Sequence, residues 1–220
     1  MADVPVLYVG EKNISSWSMR AFVALALKEV PFEERTIRLS QDKDRAERRK
    51  VSPTGKVPVL RHRGLLVPDS LAIIEYLEET FPPPAHPALW PQDAGERAHA
   101  RWLSAAMHSG FMKLREGMSF NTCFLPRRPA PPQEALADAA EMLALFEDAL
   151  KNKRSPGAFL FGPFGGADAM HAPAVVRLTA YEVPTGATPL AAAYLKDVLA
   201  HPHVRRWMDA ARALPPVERY

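Results

Sequence analysis

The stretch "SPTGKVPVLRHRGLLVPDSLAIIEYLEETF", residues 52–81, decides the fold. It opens on turn residues, and then two short apolar segments, "VPVLRH" and "LLVP", flank Arg63-Gly64 as the arms of a β-hairpin would. "DSLAIIEYLEETF" returns to helical spacing. Proline has no amide to donate, so Pro58 belongs at the start or edge of a strand, and the Val57–Pro58 bond can be cis at modest cost. A trans proline that merely opens a strand fits the tripeptide. So does a cis proline that turns the main chain of Val57 outward toward an extended ligand. Asp69 and Ser70 fall where strand passes into helix, and both are common N-cap residues. The same junction leaves unpaired amides that can bind a carboxylate, while Asp69 can hold an ammonium group. Together they match the two charges of an α-amino acid.

Toward the N-terminus, Val6–Val9 reads as a buried strand. Apolar residues at 19, 22, 23, 26 and 27 make a helical stripe over 16–28. "FEERTIRL", residues 32–39, alternates like a half-buried strand, and the charged run after it fits a short helix. The order is β-α-β-α-β-β-α. At its first strand-to-helix junction, "KNISSWSMRAFVAL" (residues 12–25) sets three serines around a tryptophan, with few acidic groups near them. Toward the C-terminus, "FPPPAHPALWP" carries five prolines and cannot continue a helix. We place a first domain at 1–81, a linker at 82–92 and an all-helical domain at 93–220. In the last, the spacing predicts one long helix over 92–118. Further helices are predicted over 132–152, 167–181, 189–199 and 201–214.

The composition is that of a soluble globular chain: 220 residues, 47% hydrophobic and 24% charged. No apolar run is long enough to span a bilayer and no secretory leader is evident, which points to the cytoplasm and away from membranes. One cysteine, Cys123, excludes an internal disulfide and a Cys-x-x-Cys centre. The net charge is only +3, and the basic run over 42–50 alternates sign without aromatic residues. That suits a solvated helix rather than a nucleic-acid surface. His99, His108, His171, His201 and His203 show no metal-ligand spacing, so no metal is expected.

With "SSWSMR", "SPTGKVPVL" and "VPDSLAIIEYLEETFP" in this order, followed by "AFLFGPFGGADAM", the chain resembles the cytosolic glutathione transferase superfamily over nearly its whole length. It is most similar to the serine-type classes, particularly zeta and related bacterial enzymes. The resemblance implies a thioredoxin-like first domain, a helical second domain and a symmetric homodimer that binds glutathione. It implies that Ser15, five residues before Arg20, hydrogen-bonds the glutathione thiol; Ser16 and Ser18 are alternatives. Val57 beside cis-Pro58 would pair with the cysteinyl unit, Asp69 and Ser70 would take the γ-glutamyl amino and carboxylate groups, and Lys56 would take the glycine carboxylate. Arg20 reads as a structural ion-pair partner. Phe111, Met112, Arg115 and Phe120 are candidate walls for a small electrophilic substrate, and Arg115 hints at an acidic or carbonyl-bearing one. Two departures stand out. Gly165 replaces the usual Ser/Thr that caps the family's buried helix, though Asp168 remains. Trp17 sits where zeta members carry a cysteine, which weakens maleylacetoacetate isomerase as the assignment and argues against thiol oxidoreductases. The implied activity is glutathione conjugation. The alternatives are a glutathione-dependent isomerase or peroxidase, or a transferase-like binding protein with little chemistry.

Overall fold

A computed structural model describes residues 3–39 and 44–217. Residues 42 and 43 of the charged run, and both chain ends of the predicted domains, lie outside them. The first part runs β1 (Val6–Val9), α1 (Ser16–Leu27), β2 (Glu33–Thr36), α2 (Asp44–Val51), β3 (Val59–His62), β4 (Leu65–Pro68) and α3 (Ser70–Thr80), as the periodicity predicts. The sheet order is β2-β1-β3-β4, with β1 and β2 parallel and the other pairs antiparallel.

Side chains alternate across a strand, so β1 serves two cores. Leu7 and Val9 join the main core with Leu60 and the apolar residues of α1 and α3. Val6 and Tyr8 pack with Val59, Ile37 and Val51 on the opposite face. Helix α1 is buried almost throughout because α3, α7 and α9 all pack against it.

The helical part comprises α4 (Ala94–Ser109), α5 (Met112–Gly117), a 3₁₀ turn (Asn121–Phe124), α6 (Gln133–Asn152), α7 (Gly166–Ala180), α8 (Pro189–Ala200) and α9 (Pro202–Arg212). The single long helix expected over 92–118 is therefore two. Helix α4 ends at Gly110, and Phe111 takes a left-handed conformation before α5 begins. The Arg115 guanidinium folds back over this break, donating to the carbonyls of Met107, His108 (3.2 Å) and Gly110. Carbonyls left open at a helix end need such donors. Gly165 caps α7 as expected, and Asp168 replies through its carboxylate to the Gly165 amide at 2.8 Å.

Between the two parts, the buried Lys28 ammonium meets Glu78 (2.5 Å) and the carbonyls of Phe81 and Pro87, each at 2.8 Å. Glu78 also accepts from the Leu89 amide at 2.9 Å. This cluster pins the proline-rich segment to the end of α1.

Candidate functional site

A cavity of about 730 Å³ opens between the two parts and is lined by the N-terminus of α1, the 54–58 loop, the start of α3, α4–α5 and α7. Ser15 is the N-cap of α1: its Oγ accepts from Ser18 N at 3.3 Å and donates to Ser18 Oγ at 2.7 Å. Ser18 Oγ in turn accepts from Gly10 N at 3.1 Å. Gly10 has to be glycine, because a Cβ there would stand 2.4 Å from Leu39 Cδ1 and 2.9 Å from Ser15 Cβ. Ser16 Oγ accepts from Arg177 Nη2 at 3.3 Å, a contact that crosses from α7. No acidic residue occupies the first turn of α1, so its positive dipole end faces the cavity uncompensated.

On the facing wall the Val57–Pro58 bond is cis, and the main chain of Val57 makes no hydrogen bond to any described residue. Gly55, at φ +68°, makes the left-handed turn that brings Lys56 and Val57 to the cavity. Asp69 caps α3, its Oδ1 accepting from Leu71 N (2.8 Å) and Ala72 N (3.1 Å), and it holds φ +106°. Such a backbone persists in a non-glycine residue only where its surroundings enforce it, and functional sites are where this clusters. Ser70 Oγ is fully buried and has no partner among the described residues.

The electrostatics are lopsided. Among the described residues Arg48, Lys56, Arg115 and Arg177 line the cavity, against the single carboxylate of Asp69. Burial lowers the Arg177 guanidinium to about 10, and Arg115 adds repulsion. Arg20, behind the wall, is lowered to about 9 by burial, then by Arg115 and Arg177, with Asp69 pulling the other way. Both Arg20 and Arg177 remain cationic at neutral pH. Arg20 makes no ion pair among the described residues, contrary to the expectation for it; it lies over the Trp17 ring at 4.3 Å, and Arg115 lies over the same ring at 5.3 Å. A cavity with this surplus is built for an anionic occupant.

Sequence models of the Glutathione S-transferase N-terminal domain and C-terminal domain match residues 14–80 and 105–210. The chain belongs to the glutathione S-transferase family. A probable maleylacetoacetate isomerase of Caenorhabditis elegans is 41% identical over 110 residues, 50% of this chain and 49% of the relative. The chain spans about half the length of the curated relatives it matches. It superposes on a solved glutathione transferase homolog from Burkholderia with bound glutathione (29% identity, TM-score 0.72, 96% of this chain and 99% of the other). It also superposes on a maleylacetoacetate isomerase from Anaeromyxobacter dehalogenans (26% identity, TM-score 0.71, 100% and 98% covered).

In this glutathione S-transferase fold, Ser15, Lys56, Val57, Pro58, Asp69 and Ser70 all line one cavity. Of the candidate walls, Arg115 and Phe120 face it, whereas Phe111 packs on the core and Met112 is exposed. Arg48, His108, Asn121 and Arg177 complete the lining and were not legible in the sequence. Arg48 stands on α2 just ahead of the 52–60 motif, in the charged run expected to be a solvated face, whereas His108, Asn121 and Arg177 come from the helical part, far from the motifs in sequence. Cys123 is largely buried, its thiol pushed up to about 11 by that burial, and so stays protonated. Among the described residues no cluster of metal-binding side chains occurs, and no helix is long and apolar enough to cross a membrane.

Proposed function

We propose that the chain is a glutathione-dependent enzyme in which Ser15 activates the thiol for addition to an electrophilic carbon of a carboxylate-bearing substrate. The observation that carries this is the convergence of Ser15, Val57, Asp69 and Ser70 on one cation-rich cavity. Glutathione brings an ammonium and two carboxylates. The ammonium goes to Asp69. The γ-glutamyl carboxylate goes to Ser70, because Asp69 already occupies the amides of Leu71 and Ala72. Lys56, with Arg48 beside it, takes the glycine carboxylate, and the free main chain of Val57 pairs with the cysteinyl unit. Ser15 turns its proton from Ser18 to the sulfur while still accepting from Ser18 N. Free thiols titrate near 8.5, and a shift of about two units requires roughly 2.7 kcal/mol. A charge-assisted hydrogen bond contributes about 1.5–3 kcal/mol and the end of α1 adds to it.

After glutathione is seated, Arg115 and Arg177, which donate to carbonyls and to Ser16 Oγ, have no carboxylate partner among the described residues. They suit a second, acidic ligand and favour one outcome over simple conjugation. The thiolate adds to one carbon of a cis double bond, and the electron pair moves to a conjugated carbonyl oxygen as an enolate. The former double bond rotates, and the enolate collapses to expel the thiolate, giving the trans isomer and free glutathione. This isomerase reading agrees with the names of the relatives, although Trp17 stands where the zeta pattern has cysteine. Conjugation stops at protonation of the same adduct. The discriminating experiment is calorimetric titration with glutathione, followed by product analysis on maleylacetoacetate and on neutral electrophiles. Absence of glutathione binding would sink the proposal, and turnover of neutral electrophiles alone would sink its acidic-substrate part.

We further propose a cytoplasmic homodimer. Trp102 (52% exposed), Leu65 and Leu66 leave apolar surface for a second copy to cover. Light scattering at micromolar concentration should return twice 24.4 kDa; the monomer mass would refute it.

A further inference from the structure

His108 stands in the last turn of α4, in the helical part, yet its Nε2 lies 3.3 Å from Asp69 Oδ2 at the start of α3. The partners of Asp69 are thus divided. Oδ1 is committed to the two amides it caps, and Oδ2 is left for His108 and for whatever enters the cavity. The imidazole is itself held in place. Its ring stands edge-on to Trp17, with centroids 5.2 Å apart and planes at 88°, and Trp17 lies against the guanidinium groups of Arg20 and Arg115. Nδ1 is buried without a partner among the described residues. At 3.3 Å the Nε2–Oδ2 contact is a close polar approach rather than a formed hydrogen bond, and Asp69 is the carboxylate that faces the ring.

We propose that His108 is a positioning residue of the glutathione site, a reading that rests on the proposed function. It fixes Asp69 Oδ2 so that the remaining lone pairs of the carboxylate point to the γ-glutamyl ammonium. A carboxylate held through one oxygen still rotates and draws in water at the other. Held through both, it presents a preorganised acceptor, and the ligand does not bear the cost of ordering it. The contact also ties ligand recognition in the first part of the chain to the end of α4. A merely structural bridge between α3 and α4 would support any ligand equally, whereas a positioning residue supports the ammonium in particular.

The test compares glutathione with N-acetylglutathione, which keeps both carboxylates and the thiol but lacks the ammonium. Affinities are measured by calorimetry for the wild-type chain, His108→Ala and His108→Gln, each checked by circular dichroism for an intact fold. The wild type should prefer glutathione. His108→Ala should lose about fivefold of that preference, the worth of roughly one hydrogen bond, with N-acetylglutathione affinity nearly unchanged. His108→Gln, whose amide can donate to Asp69, should recover most of the loss. An unchanged preference in His108→Ala, or equal weakening of both ligands, would overturn the inference alone. A wild-type chain that binds both ligands alike would overturn it too, together with the ammonium role of Asp69. A wild-type chain that does not bind glutathione would instead bring down the proposed function on which it rests.

Discussion

Replacing Ser15 by glycine isolates the hydroxyl's chemistry from its structural duty. Ser15 caps α1, and alanine there would cost about 1 kcal/mol of stability, whereas glycine at an N-cap costs only a few tenths. The melting temperature of Ser15→Gly should therefore stay close to wild type. The effect on the thiol should not be small. In the bound state Ser15 trades a neutral hydrogen bond to Ser18 Oγ, 2.7 Å long, for a charge-assisted bond to the thiolate. The first is worth about 1 kcal/mol and the second about 1.5–3, so the net is about 0.5–2 kcal/mol. That corresponds to roughly a tenfold change in the thiolate-to-thiol ratio and a rise of about one unit in the bound thiol's pKa. Turnover near pH 7 should fall about tenfold or more, and the deficit should shrink as pH rises through the new pKa. The assay is the pH profile of kcat/KM for Ser15→Gly beside Ser16→Ala. Ser16 Oγ accepts from Arg177 and keeps its own proton to donate, which makes it the natural control. An unshifted profile in Ser15→Gly, or a larger loss in Ser16→Ala, would refute the assignment of Ser15.

Three further outcomes are expected. Asp69→Asn keeps an oxygen for the amides of Leu71 and Ala72 but loses the charge, so glutathione affinity should drop at least fivefold, about 1 kcal/mol, with thermal stability nearly unchanged; a drop in stability without a loss of affinity would reduce Asp69 to a cap. Lys28→Met takes the buried donor away from the partly exposed Glu78 carboxylate and from the carbonyls of Phe81 and Pro87, and should cost about 2–3 kcal/mol in urea unfolding; a loss under about 1 kcal/mol would show that the Lys28 cluster does not hold the linker. His171 is buried on α7 and lowered to about 4 by that burial. Its folded value lies below the unfolded one near 6.5, so between these values the unfolded chain takes up a proton that the folded chain does not. Stability is lost there as pH falls, by about 3 kcal/mol in total. Asp168, raised to about 6 by burial, acts in the opposite direction between about 4 and 6. His171→Met should therefore lose less stability than wild type between pH 6.5 and 4; parallel acid profiles would contradict the burial account.

The sequence was most informative where chemistry is local. Pro58, Asp69 and Ser70 sit within a hairpin and a helix start whose residues declare themselves, and the β-α-β-α-β-β-α order follows from periods of two and 3.6. It was less informative where one residue changes the path of the chain. The apolar stripe over 92–118 continues through Gly110 and Phe111 without a visible break, because Arg115 rather than a capping motif satisfies the carbonyls at the end of α4. It was silent where distant segments meet. Arg177 reaches Ser16 across 161 positions, and the pairing of His108 with Asp69 depends on how α4 crosses α3. A histidine judged only by its spacing to other metal ligands gives no hint of that. Arg20 is the instructive case: an arginine in a helix invites an ion pair, and burial against Trp17 gives it an aromatic face instead.

The central claim is that this cavity binds glutathione and lowers the pKa of its thiol at the start of α1. The most direct measurement is the ultraviolet thiolate absorbance of glutathione bound to the wild-type chain, followed across pH against the free peptide. The account predicts saturable binding and a bound thiol that ionises one to two units, roughly, below the free value near 8.5. A bound thiol that titrates with the free peptide, or no saturable binding at all, would contradict it.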